Sequence, residues 1–176
     1  MKKLLLILIC LPMIVLGQEL GIKKNINKNG IYLSFKEPKN WEETKHSFAN
    51  DQSNLAVSYL NRSFGAMFQI YITSSIKYVT KKEAEEFMND EDFKEDYVRA
   101  FEEGGINEII AMEKSYVNDY PAIEILSYGY SKMQKQVQWV IFYEDKMINI
   151  QGVSLSDEFN NLYLLFKNLK NFVYFE

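Results

Sequence analysis

Few residues in this chain have the type and setting to do chemistry. His46 is the only histidine and lies beside Lys45 and Ser47 in a polar stretch. A general base needs partners within hydrogen-bond reach, and a lone loop histidine is ordinarily just solvated. No Gly-x-Ser-x-Gly elbow occurs. Gly104-Gly105 ends a helical pattern instead of starting one, so it is no phosphate loop. Carboxylates number 24, too many to single out a glycosidase-type pair by spacing. Glu124 is the exception, because it interrupts an otherwise apolar strand-like run, Ala122 to Tyr130. It is the one candidate for a carboxylate-dependent hydrolase; the ordinary expectation is a strand carboxylate facing solvent.

Metal chemistry finds no better footing. Ten acidic residues crowd Glu83 to Glu103 against only Lys94 and Arg99. An EF-hand loop started at Asp90 places Lys94 where an oxygen ligand belongs and Glu95 where glycine is required. A solvated helix face accounts for these charges. Cys10 is the only cysteine, which excludes thiolate zinc sites from the mature chain. No catalytic, cofactor-binding or metal residue is therefore expected, and no cofactor.

The first residues carry an address. Lys2 and Lys3 precede an apolar run from Leu4 to Leu16, and Val15-Leu16-Gly17 leads into polar Gln18-Glu19. This is the pattern of a secretory signal cut after Gly17. The run is short of the roughly 20 residues of a spanning helix. An uncleaved anchor is one alternative. Lipidation at Cys10 is another, opposed by bulky Leu8 and Ile9 before it and by the apolar residues that continue past it. With residues 1–17 removed, residues 18–176 form one domain without cysteine. About 160 residues can bury enough surface to fold without disulfides. Loss of Lys2 and Lys3 leaves 18 basic against 24 acidic residues, net −6. That disfavours nucleic acid and anionic membranes as partners, and no membrane span is expected after signal cleavage.

The elements that would position any site read as follows. Gln18 to Gly30 is a polar lead-in without periodicity. Ile31, Leu33 and Phe35 alternate with Tyr32, Ser34 and Lys36, a half-buried strand. Trp41 follows as a plug at the sheet end. Leu55–Leu60 and Met67–Thr73 are partner strands across a turn at Asn61–Gly65. Asn61-Arg62-Ser63 is formally a glycosylation sequon. Thr80-Lys-Lys-Glu83 is a capping box opening a helix with Ala84, Phe87 and Met88 inward. Asn89-Asp90 interrupts it before Phe93, Tyr97 and Phe101. Glu108–Tyr116 and Ala122–Tyr130 are strands about a turn at Val117–Pro121. Val137–Tyr143 and Met147–Val153 pair across Glu144-Asp145-Lys146, the first apolar on both faces and so central. Phe159, Leu162, Tyr163, Phe166 and Leu169 form the stripe of a final helix. A short edge strand could close the chain. Aromatic residues, 15% of the chain with twelve tyrosines, fit core and cross-strand packing. Strands in runs indicate the α+β class with a mainly antiparallel sheet.

Phe35-Lys-Glu-Pro38-Lys-Asn-Trp41 resembles the early strand–Pro–x–x–Trp signature of the PsbP-like and DcrB-like superfamily. Tyr120-Pro121-Ala122 resembles the Gly-x-Pro-Ala start of its middle strand, with Asn118-Asp119-Tyr120 where the glycine belongs. Tyr143 to Val153 resembles the closing hairpin, and Leu162 to Phe172 the last helix. The resemblance implies an α-β-α sandwich and an accessory or partner-binding role, with no active site to carry over. The expected function is a non-catalytic accessory or binding protein of a bacterial envelope, secreted or periplasmic, with a protein partner. A small-ligand carrier with an aromatic-lined pocket is the alternative, and a hydrolase the third.

Overall fold

Asn29 and Gly30 both take positive φ, +51° and +87°, the signature of a two-residue hairpin turn that matches strand twist. They join β1 (Leu20–Lys28) to β2 (Ile31–Pro38). The structure, a computed structural model, describes residues 20–45, 53–103, 108–129 and 132–176. Residues 1–17, His46, Gly104-Gly105 and the Phe101 side chain lie outside that description. The expected lead-in is thus corrected: from Leu20 it is a strand. Ile22 is exposed while the strand's inward residues include Lys24 and Lys28 beside Ile26, so no clean hydrophobic alternation marks it. Pairing with β2 creates it.

The remaining elements are β3 (Glu42–Glu43), β4 (Leu55–Asn61), β5 (Ala66–Val79), α1 (Lys81–Phe87), α2 (Glu91–Glu103), β6 (Ile109–Val117), β7 (Tyr120–Tyr128), β8 (Gln134–Leu155), α3 (Ser156–Asn171) and β9 (Tyr174–Phe175). Two sheets result, β1-β2-β9 and β3-β4-β5-β8-β7-β6, and every strand pair between elements is antiparallel. The 22 residues of β8 fold back on themselves. The Gln151 amide donates to Gln136 Oε1 at 2.8 Å and the Asn149 amide to Gln138 Oε1 at 3.1 Å. In a straight strand Gln136 and Gln151 would stand on the order of 50 Å apart. The reversal falls at Glu144, whose φ is +55°. The expected hairpin is present, its first arm beside β7 and its second beside β5. Val137, Trp139 and Ile141 are fully buried on one face and Val140 on the other, as a central strand requires.

The sheet faces carry different layers. Trp139, Ile150, Phe68 and Tyr59 pack with Phe159, Leu162, Phe166 and Leu169 of α3 and with Leu33 and Phe35 of the small sheet. Trp41 stands edge-on to Phe166, centroids 6.2 Å apart. On the opposite face Met88 packs with Ile123, Ile125 and Val140, joined by Phe87, Phe93 and Tyr97 of the two short helices. Helices thus cover both faces, and the fold is α+β with a mainly antiparallel sheet.

The capping box forms. The Glu83 N–H donates to Thr80 Oγ1 at 3.2 Å and the Thr80 N–H to Glu83 Oε2 at 2.9 Å. Thr80→Ala is expected to cost about 1 kcal/mol, read as a lower urea midpoint. The Thr80 backbone and hydroxyl bonds, with Lys77, hold the Glu83 carboxyl at about 2, down from 4.5. A depressed folded-state value stabilises above the unfolded one. The start of α1 therefore loses this support as pH falls from 4.5 towards about 2.

Candidate functional site

Glu124 lies on β7 opposite Trp139 of β8 and Glu113 of β6, on the face that α3 covers. Trp139 Nε1–H donates to its Oε2 at 2.8 Å and the Ser115 hydroxyl to the same oxygen at 3.2 Å. The Tyr163 hydroxyl, from α3, donates to Oε1 at 2.5 Å, and Lys167 Nζ stands 3.5 Å from that oxygen. The side chain is only 14% exposed. The ordinary expectation of a solvent-facing carboxylate is corrected, because alternation turns Glu124 towards the helix. Burial raises its pKa, but the Tyr163 and Trp139 hydrogen bonds and the Lys167 charge outweigh it, and the net shift is downward. A general acid needs the opposite shift. Both oxygens are occupied by donors, so Glu124 pins α3 to the sheet. Lys170 completes this corner: it is buried, its pKa is lowered by burial, and Nζ donates to the Tyr116 carbonyl at 2.7 Å.

A second charged cluster joins the two sheets. Lys24 of β1 contacts Glu43 Oε2 at 2.7 Å and Glu37 Oε2 at 2.9 Å. The Tyr59 hydroxyl donates to Glu37 at 3.2 Å. Lys24, Glu43 and Tyr59, with Ile26, Phe35 and Val57, line a concavity of about 340 Å³. The bond to Glu43, then those to Tyr59 and Glu37, push the Lys24 pKa up. Burial raises the Glu37 pKa, and Lys24 overrides it to a net lowering. The ammonium between two carboxylates holds Glu37 as an anion, which suits an ionic clamp and not an acid–base pair. Sequence reading had no means to find this cluster, since its members sit on four strands and only the register joins them.

On the sheet face turned away from α3, uncharged polar side chains form a buried row across the strands. The Gln69 amide donates to Ser58 Oγ at 3.0 Å and accepts from the Tyr71 hydroxyl at 2.8 Å. Gln151 donates to Gln136, whose amide donates to Ser127 Oγ at 2.9 Å. The glutamine amides and serine hydroxyls of this row are uncharged hydrogen-bonding groups. A slip of one residue would strand them among the apolar residues of the other face, so the row specifies register.

The outer face of the small sheet is different. Lys23, Asn25, Tyr32, Ser34, Tyr174 and Glu176 line a concavity of about 320 Å³. Asn25 is in register with Ser34, and Ser34 with Tyr174. The Tyr32 N–H donates to the Glu176 carbonyl at 2.9 Å and the Glu176 N–H to the Tyr32 carbonyl at 3.0 Å. Tyr32 and Tyr174 are therefore diagonal neighbours, 45% and 50% exposed. Between them Ser34 is 7% exposed, and its buried hydroxyl has no hydrogen-bond partner. Such a group costs about 1–3 kcal/mol and calls for an explanation. Tyr32 and Ser34 occupy the outward positions of the alternating strand, which sequence reading assigned to solvent. Tyr174 joins them only because the chain returns after α3.

Among the described residues no group of three or more His, Cys, Asp and Glu side chains could hold a metal ion. Within the acidic helix Lys94 pairs with Glu91 at 2.5 Å and Arg99 with Asp96. Among the same residues no helix is long and apolar enough to cross a membrane.

Neither a family model nor a curated protein matches the sequence. Solved structures do match. The solution structure of cyanobacterial PsbP (CyanoP) from Synechocystis sp. PCC 6803 aligns over 91% of this chain and 96% of its own, with TM-score 0.56 and 12% identity. A crystal structure from Bacteroides thetaiotaomicron VPI-5482 aligns over 89% of this chain, with TM-score 0.54 and 8% identity. The match spans 48% of that longer protein. At these identities the likeness shows the fold, and the fold is PsbP-like.

Proposed function

We propose that this PsbP-like chain is an exported, non-catalytic accessory protein that holds a component of a bacterial envelope on the outer face of its small sheet. The observation that carries the reading is Ser34, a buried hydroxyl without a partner in an open concavity between two exposed tyrosines. Ligand sites combine aromatic walls with a few placed polar groups. By contrast the Glu124 and Lys24 clusters are consumed internally, which weighs against a hydrolase. Export rests on the signal pattern at residues 1–17. The small-ligand carrier draws on the same concavity, whose volume stands at the lower end of ligand pockets, roughly 300–1,000 Å³.

Two measurements test this. Cell fractionation is expected to find the chain outside the cytoplasm. Envelope extract added to isotope-labelled protein is expected to shift or broaden the amide resonances of Asn25, Tyr32, Ser34 and Tyr174. A cytoplasmic chain, or an extract that leaves those amides unchanged, overturns the reading.

A further inference from the structure

We infer that the concavity between Tyr32 and Tyr174 takes a neutral oligosaccharide segment, an inference that rests on the binding reading above. A sugar ring has an apolar C–H face and a rim of hydroxyls, each both donor and acceptor. A tyrosine ring offers the matching apolar face with a polar tip. As diagonal neighbours on an antiparallel pair, the two residues' backbones stand roughly 7–8 Å apart, which lets their rings present adjacent faces to adjacent sugar units.

The polar groups around them select among ligands. Ser34 Oγ can donate one hydrogen bond and accept two, and the Asn25 amide can do both. Glu176 can only accept, so the ligand must also bring donors. Sugar hydroxyls supply donors and acceptors together. A polyproline segment, the other common occupant of tyrosine-lined grooves, has no backbone N–H to give and would leave the Glu176 carboxylate unanswered. Strand addition is disfavoured too, since β9 at this edge spans only Tyr174–Phe175. Charge points the same way. The rim carries one ammonium, Lys23, and one side-chain carboxylate, Glu176, so neither an anion nor a cation is favoured over a neutral ligand. The neighbouring Lys36 is turned aside, its Nζ 4.1 Å from the centroid of Phe172.

The test is an amide NMR titration of the full chain with neutral hexasaccharides: β-1,4-glucose, β-1,4-N-acetylglucosamine and α-1,4-glucose. Each is raised to about 10 mM, which covers the weak millimolar range. At least one is expected to give saturable shifts at Asn25, Tyr32, Ser34 and Tyr174. Tyr32→Ala and Tyr174→Ala together are expected to weaken it about tenfold or more by removing both stacking faces. Tyr32→Ala alone serves if the pair lowers the dispersion of the spectrum. Ser34→Ala is expected to weaken binding severalfold while leaving folding unharmed, which separates a ligand contact from a structural role. No shift with any sugar overturns the inference. So do shifts that survive loss of the tyrosines, or shifts with decaproline and none with a sugar. Envelope extract that moves these amides where no sugar does leaves the binding reading standing and removes the sugar. If neither moves them, both readings fall.

Discussion

Gly152→Ala is expected to destabilise the protein by about 3 kcal/mol, the upper end of ordinary overpacking. Gly152 lies on the second arm of β8 beside Phe68 of β5. A Cβ built on it would come 2.3–2.7 Å from three carbons of the Phe166 ring, well inside van der Waals contact distance. That ring is fully buried and is held on other sides by Trp41 and Phe159, so it has nowhere to retreat. Glycine is thus required here for close approach and not for an unusual backbone angle. Urea unfolding is the measurement: the midpoint falls while the slope stays constant, because the surface exposed on unfolding is unchanged. Phe166→Leu added to Gly152→Ala is expected to recover part of the loss. An unchanged midpoint for Gly152→Ala would show that α3 sits further from the sheet.

Glu124→Leu is expected to cost about 2–3 kcal/mol. The loss comes from stranding the Trp139 N–H and the Tyr163 and Ser115 hydroxyls without their common acceptor. Glu124→Gln keeps one acceptor oxygen and loses the charge, so it is expected to cost about 1 kcal/mol. The ordering, glutamine milder than leucine, separates a hydrogen-bonding anchor from a group needed only for its bulk. A pH series adds the sign. The folded carboxyl titrates below 4.5, so its ionised form stabilises above that pH and the contribution is lost as pH falls through the lowered folded value. The unchanged protein should therefore lose stability in acid more steeply than Glu124→Gln. Parallel acid profiles would show that the carboxylate is not held as an anion. The same depressed value makes Glu124 a poor proton donor at neutral pH, and its hydrogen bonds tie α3 to the sheet.

Patterns within a single element were readable from sequence alone. Thr80 and Glu83 are three residues apart on one turn, so the capping box needs nothing distant. The α3 stripe and the two arms of β8 likewise follow from local period and from the polar break between them. The antiparallel α+β class follows from the strands arriving in runs. The start of the chain was legible in principle: Asn29-Gly30 just before an alternating strand is a strong hairpin signal. Because Lys24 and Lys28 share the inward side with Ile26 while Ile22 is exposed, the preceding strand carries no clean apolar alternation. What tertiary structure alone decided is the set of neighbours. Glu124 stood out as an exception in an apolar run, but only pairing with Trp139 and docking of α3 show why it is there. Lys24, Glu37, Glu43 and Tyr59 meet because four strands align. Ser34 became a candidate contact because β9 returns from the far end of the sequence and sets Tyr174 beside it. Local periodicity tells a side chain which way to face, whereas contacts across the sheet depend on register and chain return, which are decided by the burial of the whole core.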